Sequence, residues 1–166
     1  MIIWITGLPG SGKTTLAKKI KSILEKKISN NIVLLDGDNI RSILPYKKLY
    51  DYNDRRKLSF FYSELALLIE QSKCIVICSF VALFHSVRDN TRQKANDYFE
   101  IFLDPSIDEL AKKNKKDLYS AKSEYMLNQF TKHEYPTNPE LRINSIIKGA
   151  YQDHSREITK ELFEKL

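Results

Sequence analysis

The residues best equipped for chemistry open the chain. Gly7-Leu8-Pro9-Gly10-Ser11-Gly12-Lys13-Thr14 is a complete G-x-x-x-x-G-K-[ST] signature. A loop that wraps a phosphate must turn its backbone N–H groups inward, and glycine permits the φ values this needs. Lys13 supplies a mobile cation for β- and γ-phosphates, and Thr14 a hydroxyl for Mg²⁺. The expected nucleotide contacts are Gly7, Pro9, Gly10, Ser11, Gly12, Lys13, Thr14 and Thr15. A second cluster is Asp36-Gly37-Asp38. Phosphoryl transfer to a hydroxyl calls for metal placement and a carboxylate near the attacking oxygen. An Asp-x-Asp pair can meet both needs, one carboxylate holding metal-bound waters while the other accepts the hydroxyl proton. An Asx-turn closing a strand would use the same residues; a P-loop one strand earlier favours the catalytic reading.

The elements that must position these groups alternate. Met1 to Thr6 reads as a buried strand and Thr15 to Lys27 as a helix. A second strand, Asn31 to Leu35, runs into the double-aspartate turn. Asp54 to Ser72 has a helical period with Leu58, Phe61, Leu65, Leu68 and Ile69 on one face. Cys74 to Phe80 is a third strand, followed by a helix from Ser86 to Asn96. Tyr98 to Leu103 is a fourth strand. Ser106 and Glu109 have capping-box spacing, and Leu118 to Phe130 is helical. Leu141 to Asn144 offers a short fifth strand, and an amphipathic helix covers Arg156 to Leu166. The expected fold is α/β, a three-layer P-loop sandwich around a five-stranded, mostly parallel sheet.

Further basic groups could meet phosphate: Arg41, Arg55 and Arg56, then Arg88 and Arg92, with surface ion pairs the simpler role for Arg56 and Arg92. Lys112, Lys113, Lys115 and Lys116 form a basic run. Such a run is usually a solvated face; in P-loop kinases this position is often a lid that closes cations on the transferring phosphate. Tyr50 and Phe130 could stack on a base. Cys74 and Cys78 lie four apart on a strand, too far for a disulfide.

The 166 residues, 42% hydrophobic with a formal net charge of +6, suit one globular domain, residues 1–166, with a lid at about 112–137. No apolar run spans a bilayer and no signal peptide is read, so a cytoplasmic location is expected, with no membrane partner. The positive charge fits a lysine-rich surface on an enzyme of anionic nucleotides, and no nucleic-acid module is found.

In this order the motifs resemble the adenylylsulfate (APS) kinase family. Leu35-Asp36-Gly37-Asp38-Asn39-Ile40-Arg41 matches L-D-G-D-N-[IV]-R, Asp54-Arg55 falls at its D-R, and Asn138-Pro139-Glu140-Leu141 matches N-P-E-L. Ser79-Phe80-Val81 stands at the family's [SA]-F-I segment and Lys116-Asp117-Leu118-Tyr119 at K-G-L-Y. The resemblance implies transfer of the γ-phosphate of ATP, with Mg²⁺, to the 3′-hydroxyl of a small-molecule nucleotide. Lys113 would then serve ATP, Asp38 would be the base and Asp36 the metal-side carboxylate. The acceptor would meet Asp38, Arg41, Tyr50, Arg55, Ser79, Phe80, Val81, Lys116, Leu118 and Phe130. A homodimer is implied as well. The departures cluster on the acceptor side. Leu58 replaces an acceptor-binding asparagine, Phe60 an arginine, and Ala82-Leu83-Phe84-His85 stands for S-P-Y-R. The loop after Phe130 is shorter than the family's. That pattern points to the cytidine diphosphoramidate kinase branch, with APS itself as the alternative acceptor.

Overall fold

The computed structural model describes residues 1–28, 31–45, 51–113, 118–120, 122–123, 126, 132–144 and 158–164. Five strands form one sheet: β1 (Ile2–Gly7), β2 (Ile32–Asp36), β3 (Ile75–Ser79), β4 (Tyr98–Leu103) and β5 (Leu141–Ile143), in the order β2-β3-β1-β4-β5. All four pairings are parallel; β1 pairs with both β3 and β4, Ile5 standing beside Ser79 and Ile101. The expected sandwich is the observed one. β1 is buried throughout because helices cover both of its faces.

Alternate residues of β1 feed two cores. Ile3 and Ile5 pack with Leu16, Ile20 and Leu24 of α1 (Lys13–Leu24), and with Ile158 and Leu162 of a helical stretch over 158–163. Ile2 and Trp4 face α2 (Gly37–Ile43), α3 (Tyr52–Glu70) and α4 (His85–Lys94), through Ile40, Leu58, Tyr62, Ala66 and Val87. A third cluster, Leu8, Leu83, Phe102, Leu110 and Tyr119, lies under the P-loop, with Leu110 from α5 (Ile107–Lys113).

The Ser106–Glu109 capping box forms as expected: the Glu109 amide donates to the Ser106 hydroxyl at 3.3 Å, and the Ser106 amide to the Glu109 carboxylate at 3.0 Å. Two expectations fail. The buried face of α3 is Leu58, Ser59, Tyr62, Ser63, Ala66, Leu67 and Glu70, while Phe61 and Leu68 stay 46% and 62% exposed. The residues after Asp36 form a helix, α2, where a turn was expected. Of the helix expected over Leu118 to Phe130, residues 118–120 and 122–123 are turns and bends, and most of the rest lies outside the described residues. Both cysteines are free, Cys78 buried. No helix among the described residues is long and apolar enough to cross a membrane.

Candidate active site

The phosphate end is set by glycine sterics. Gly7 has φ +149°, and a Cβ there would stand 2.4 Å from the Leu103 carbonyl oxygen. No side chain is compatible with that approach. Gly12, at φ 97° and ψ 14°, turns the loop into α1, and no side chain caps the helix. First-turn N–H groups are therefore left for an anion. The carbonyl of Pro9 accepts a hydrogen bond from the Tyr119 hydroxyl, which ties the loop to the segment beyond α5. Lys13 is buried, and its Nζ donates to the Leu8 carbonyl at 2.8 Å. Burial pushes its pKa down to about 8; Asp38 and Asp36 oppose the shift and Arg41 adds to it. Ser11 is buried, Pro9 half-buried, and Gly10 and Thr15 are exposed.

One carboxylate organises the next layer. Thr14 Oγ1 donates to Asp36 Oδ2 at 2.6 Å, while Asp36 Oδ1 accepts from the amides of Asp38 at 3.0 Å and Asn39 at 3.4 Å. Asp36 thus caps α2 and faces Thr14 together, so the two readings of the double-aspartate stretch are not exclusive. Burial alone would raise its pKa, but the bonds from Thr14, the two amides and Ser79 outweigh burial and hold it below the ordinary value. The Ser79 hydroxyl lies 3.3 Å from Thr14 Oγ1. Ser79, expected to touch the acceptor, thus stands beside Thr14 and Asp36.

Thr14, Asp36 and Ser79 present neutral and anionic oxygens, the donor set a hard cation takes. Among the described residues no group of three or more His, Cys, Asp or Glu could cage a metal alone. Mg²⁺ is commonly held by one or two protein groups together with phosphate oxygens.

The residues expected at the acceptor belong to the other layer. Asp38, in the first turn of α2, is exposed and ion-paired with Arg41 one turn on. Arg55, half-buried on α3, shares its surroundings with His133. Burial, then the charges of Arg55 and Lys13, lower the His133 pKa to about 4, so its imidazole is neutral at working pH. Phe80 is buried: it stacks on Tyr62 at 4.3 Å and 10° and meets Trp4 edge-on at 5.3 Å. The Val81 carbonyl accepts from Thr6 Oγ1 at 2.6 Å. Leu118 is half-buried, and Lys113 stands exposed at the end of α5. Tyr50, Lys116 and Phe130, three expected contacts, lie outside the described residues.

Glu134 was not among the residues expected near the site. Its amide donates to the Leu83 carbonyl at 3.0 Å, and its carboxylate accepts from the His85 amide at 2.5 Å and the Tyr52 hydroxyl at 3.2 Å. Residues 132–136 are thereby clamped onto the loop after β3, and His133 is held beside the site. The weak signal was position, close before the N-P-E-L stretch. Arg88, a candidate phosphate contact, is only 3% exposed and pairs with Glu100 at 2.9 Å. Arg92 bridges Glu100 and Glu140, and Arg56 reaches the Ser86 hydroxyl at 3.3 Å.

A parallel β2-β3-β1-β4-β5 sheet whose first strand feeds a lysine–threonine phosphate loop, with Asp36 at the end of the adjoining β2–β3 edge, defines a P-loop kinase. The family model for adenylylsulphate kinase matches residues 1–144, and the chain belongs to that family. It is 36% identical to an adenylyl-sulfate kinase of Prochlorococcus marinus over 96% of this chain and 82% of that protein. It is 33% identical to the cytidine diphosphoramidate kinase of Campylobacter jejuni over 72% of this chain and 69% of that one. The Mycobacterium tuberculosis APS kinase, solved in complex with AMPPNP and APS, superposes with a TM-score of 0.81 at 25% identity, covering 97% of this chain and 96% of that chain. The chain also matches the bifunctional NodQ enzymes of Azospirillum brasilense and Rhizobium tropici, spanning 25% and 24% of their length.

Proposed function

We propose that this chain transfers the γ-phosphate of ATP to the ribose 3′-hydroxyl of a nucleotide, and that the nucleotide is a cytidine diphosphoramidate. The observation that carries the reading is an asymmetry. The donor-side signature is complete from Gly7 to Thr14 and joined to Asp36, while the acceptor side departs from the family at Leu58, Phe60, Ala82 and His85. In this reading the first-turn amides of α1 and Lys13 hold the ATP phosphates. Thr14 and Asp36 hold Mg²⁺, which would neutralise charge on the transferring phosphoryl group. Asp38 accepts the proton of the attacking hydroxyl, and Arg41 and Arg55 hold the acceptor's anionic end. Tyr50 and Phe130 clamp its base, and residues at about 112–137 close as a lid carrying Lys113 and Lys116. Residues 1–166 act as one kinase domain, in the cytoplasm and as a homodimer.

The second reading, APS as acceptor, is favoured by the longer match to the Prochlorococcus enzyme. A coupled ADP-release assay with the two acceptors, with the product located by ³¹P NMR, separates them. Turnover of the cytidine compound with a new 3′-phosphate supports the proposal. Strong turnover of APS with none of the cytidine compound overturns it in favour of APS. ATP binding without transfer to either acceptor would leave a nucleotide-gated binding protein.

A further inference from the structure

Where the family's asparagine and arginine give way to Leu58 and Phe60, α3 offers the acceptor little polarity. Leu58 is buried in the apolar cluster with Trp4 and Phe80. One turn further along α3, Tyr62 brings a phenol to the same place. Its side chain is 3% exposed, and its ring is fixed by the parallel stack on Phe80. Phe80 and Arg41 meet over Gly37: a methyl group there would stand 3.3 Å from Phe80 Cδ1 and 3.3 Å from Arg41 Nη1. The ring stacked on Phe80 is close enough to Arg41 for the guanidinium to act on its phenol.

The Tyr62 oxygen is shielded from solvent, and no hydrogen bond of sound geometry satisfies it among the described residues. Burial raises its pKa, with Arg41 the foremost opposing influence, and the phenol stays neutral at any working pH. Arg41 meanwhile lies on Asp38. A guanidinium carries five N–H donors in a rigid fork, so one carboxylate leaves donors to spare.

We propose that Tyr62 is a positioning residue for Arg41: the phenolic oxygen, held still by Phe80, accepts one guanidinium N–H and aims the remaining fork at the acceptor's anionic group. This rests on the reading of Arg41 as the contact for that group. When the acceptor's anion draws Arg41 away from Asp38, the phenol keeps the side chain from swinging into solvent. Asp38 is then free to take the hydroxyl proton. An arginine ordered beforehand loses less rotamer freedom on binding, so the benefit falls on acceptor affinity.

The test is a double-mutant cycle of Tyr62→Phe and Arg41→Ala, with ATP and the acceptor nucleotide that the wild type turns over. Tyr62→Phe keeps the stack and the burial and removes one oxygen. It is expected to raise the acceptor KM about tenfold, the scale of a hydrogen bond involving a charged group. kcat, the ATP KM and Tm should stay near wild type. In the Arg41→Ala background the same substitution should change the acceptor KM less than twofold. An unchanged acceptor KM in Tyr62→Phe overturns the proposal. A full tenfold effect persisting without Arg41 does so too, because the tyrosine would then act elsewhere. A lowered Tm with both KM values raised together would make the role merely structural and equally end it. If Arg41→Ala itself leaves the acceptor KM unmoved, the underlying assignment of Arg41 falls, an outcome distinct from additivity.

Discussion

The proposed donor and acceptor halves are held together by different physics. On the donor half, backbone conformation and one buried carboxylate fix everything: Gly7 admits no Cβ, and Asp36 receives Thr14, Asp38 and Asn39. On the acceptor half, side chains carry the geometry. Arg41 rests on Asp38, Phe80 on Tyr62, and the 132–136 segment hangs from Glu134. Backbone-built sites leave little room for substitution, whereas side-chain-built sites can be rewritten one residue at a time. The expected departures from the family pattern at Leu58, Phe60, Ala82 and His85, outside the loop, accord with that difference.

Substitutions should divide along that line. The largest effect is expected of Asp38→Asn, which removes the proposed base: kcat should fall about 10²–10⁴-fold with both substrates still bound, measured by initial rates and by equilibrium binding. A variant with wild-type kcat would remove Asp38 from the mechanism. Lys13→Ala should cost kcat about 10²–10³-fold, as for loss of one preorganised charge at the transferring group. Arg41→Ala and Arg55→Ala should raise the acceptor KM about 10–100-fold and leave that of ATP alone; equal rises for both substrates would dissolve the division between the halves.

A subtler expectation concerns protons. Free Lys13 loses its proton near pH 8, and phosphates favour the charged amine, raising its pKa in the complex. ATP binding at pH 8.5 should therefore take up a proton, and affinity should weaken as pH rises beyond 8. At pH 6.5 Lys13 is charged in both states and no uptake is expected. Calorimetry in two buffers of different ionisation enthalpy reads this directly, and zero uptake at pH 8.5 would contradict it. The smallest effect is expected of Glu134→Gln, a rise of about fivefold or less in acceptor KM, because one carboxamide oxygen replaces two carboxylate acceptors for His85 and Tyr52.

The strand–loop–helix around Gly7 to Thr14 was legible because its signature is local, a fixed spacing of residue types within eight positions, even though the demand on Gly7 comes from the distant Leu103 carbonyl. β4 and the Ser106–Glu109 cap were legible for the same reason. The face of α3 was misread because apolar residues occur nearly all round it. Its buried side is settled by distant polar partners, Ser63 with Thr91 at 2.7 Å and Glu70 with the Asn96 amide at 3.2 Å. The clamp of Glu134 joins residues 49 and 82 positions away in sequence, and no spacing rule reaches so far. Tyr62 was passed over because, on a helix, a tyrosine reads as core until its neighbours are known.

The Thr14 hydroxyl has a single proton, and that proton points at Asp36. Its lone pairs are what remain for any visitor, so the group is polarised toward electrophiles before anything arrives. The same carboxylate whose one oxygen sets that polarity holds, with its other oxygen, the leading amides of the helix that carries Asp38. The gap between the place for the transferring phosphorus and the proposed base is thus spanned through one side chain, a gauge of fixed length. Asp36→Asn should spoil one end of that gauge, since a carboxamide must choose which end receives its oxygen and which its amine.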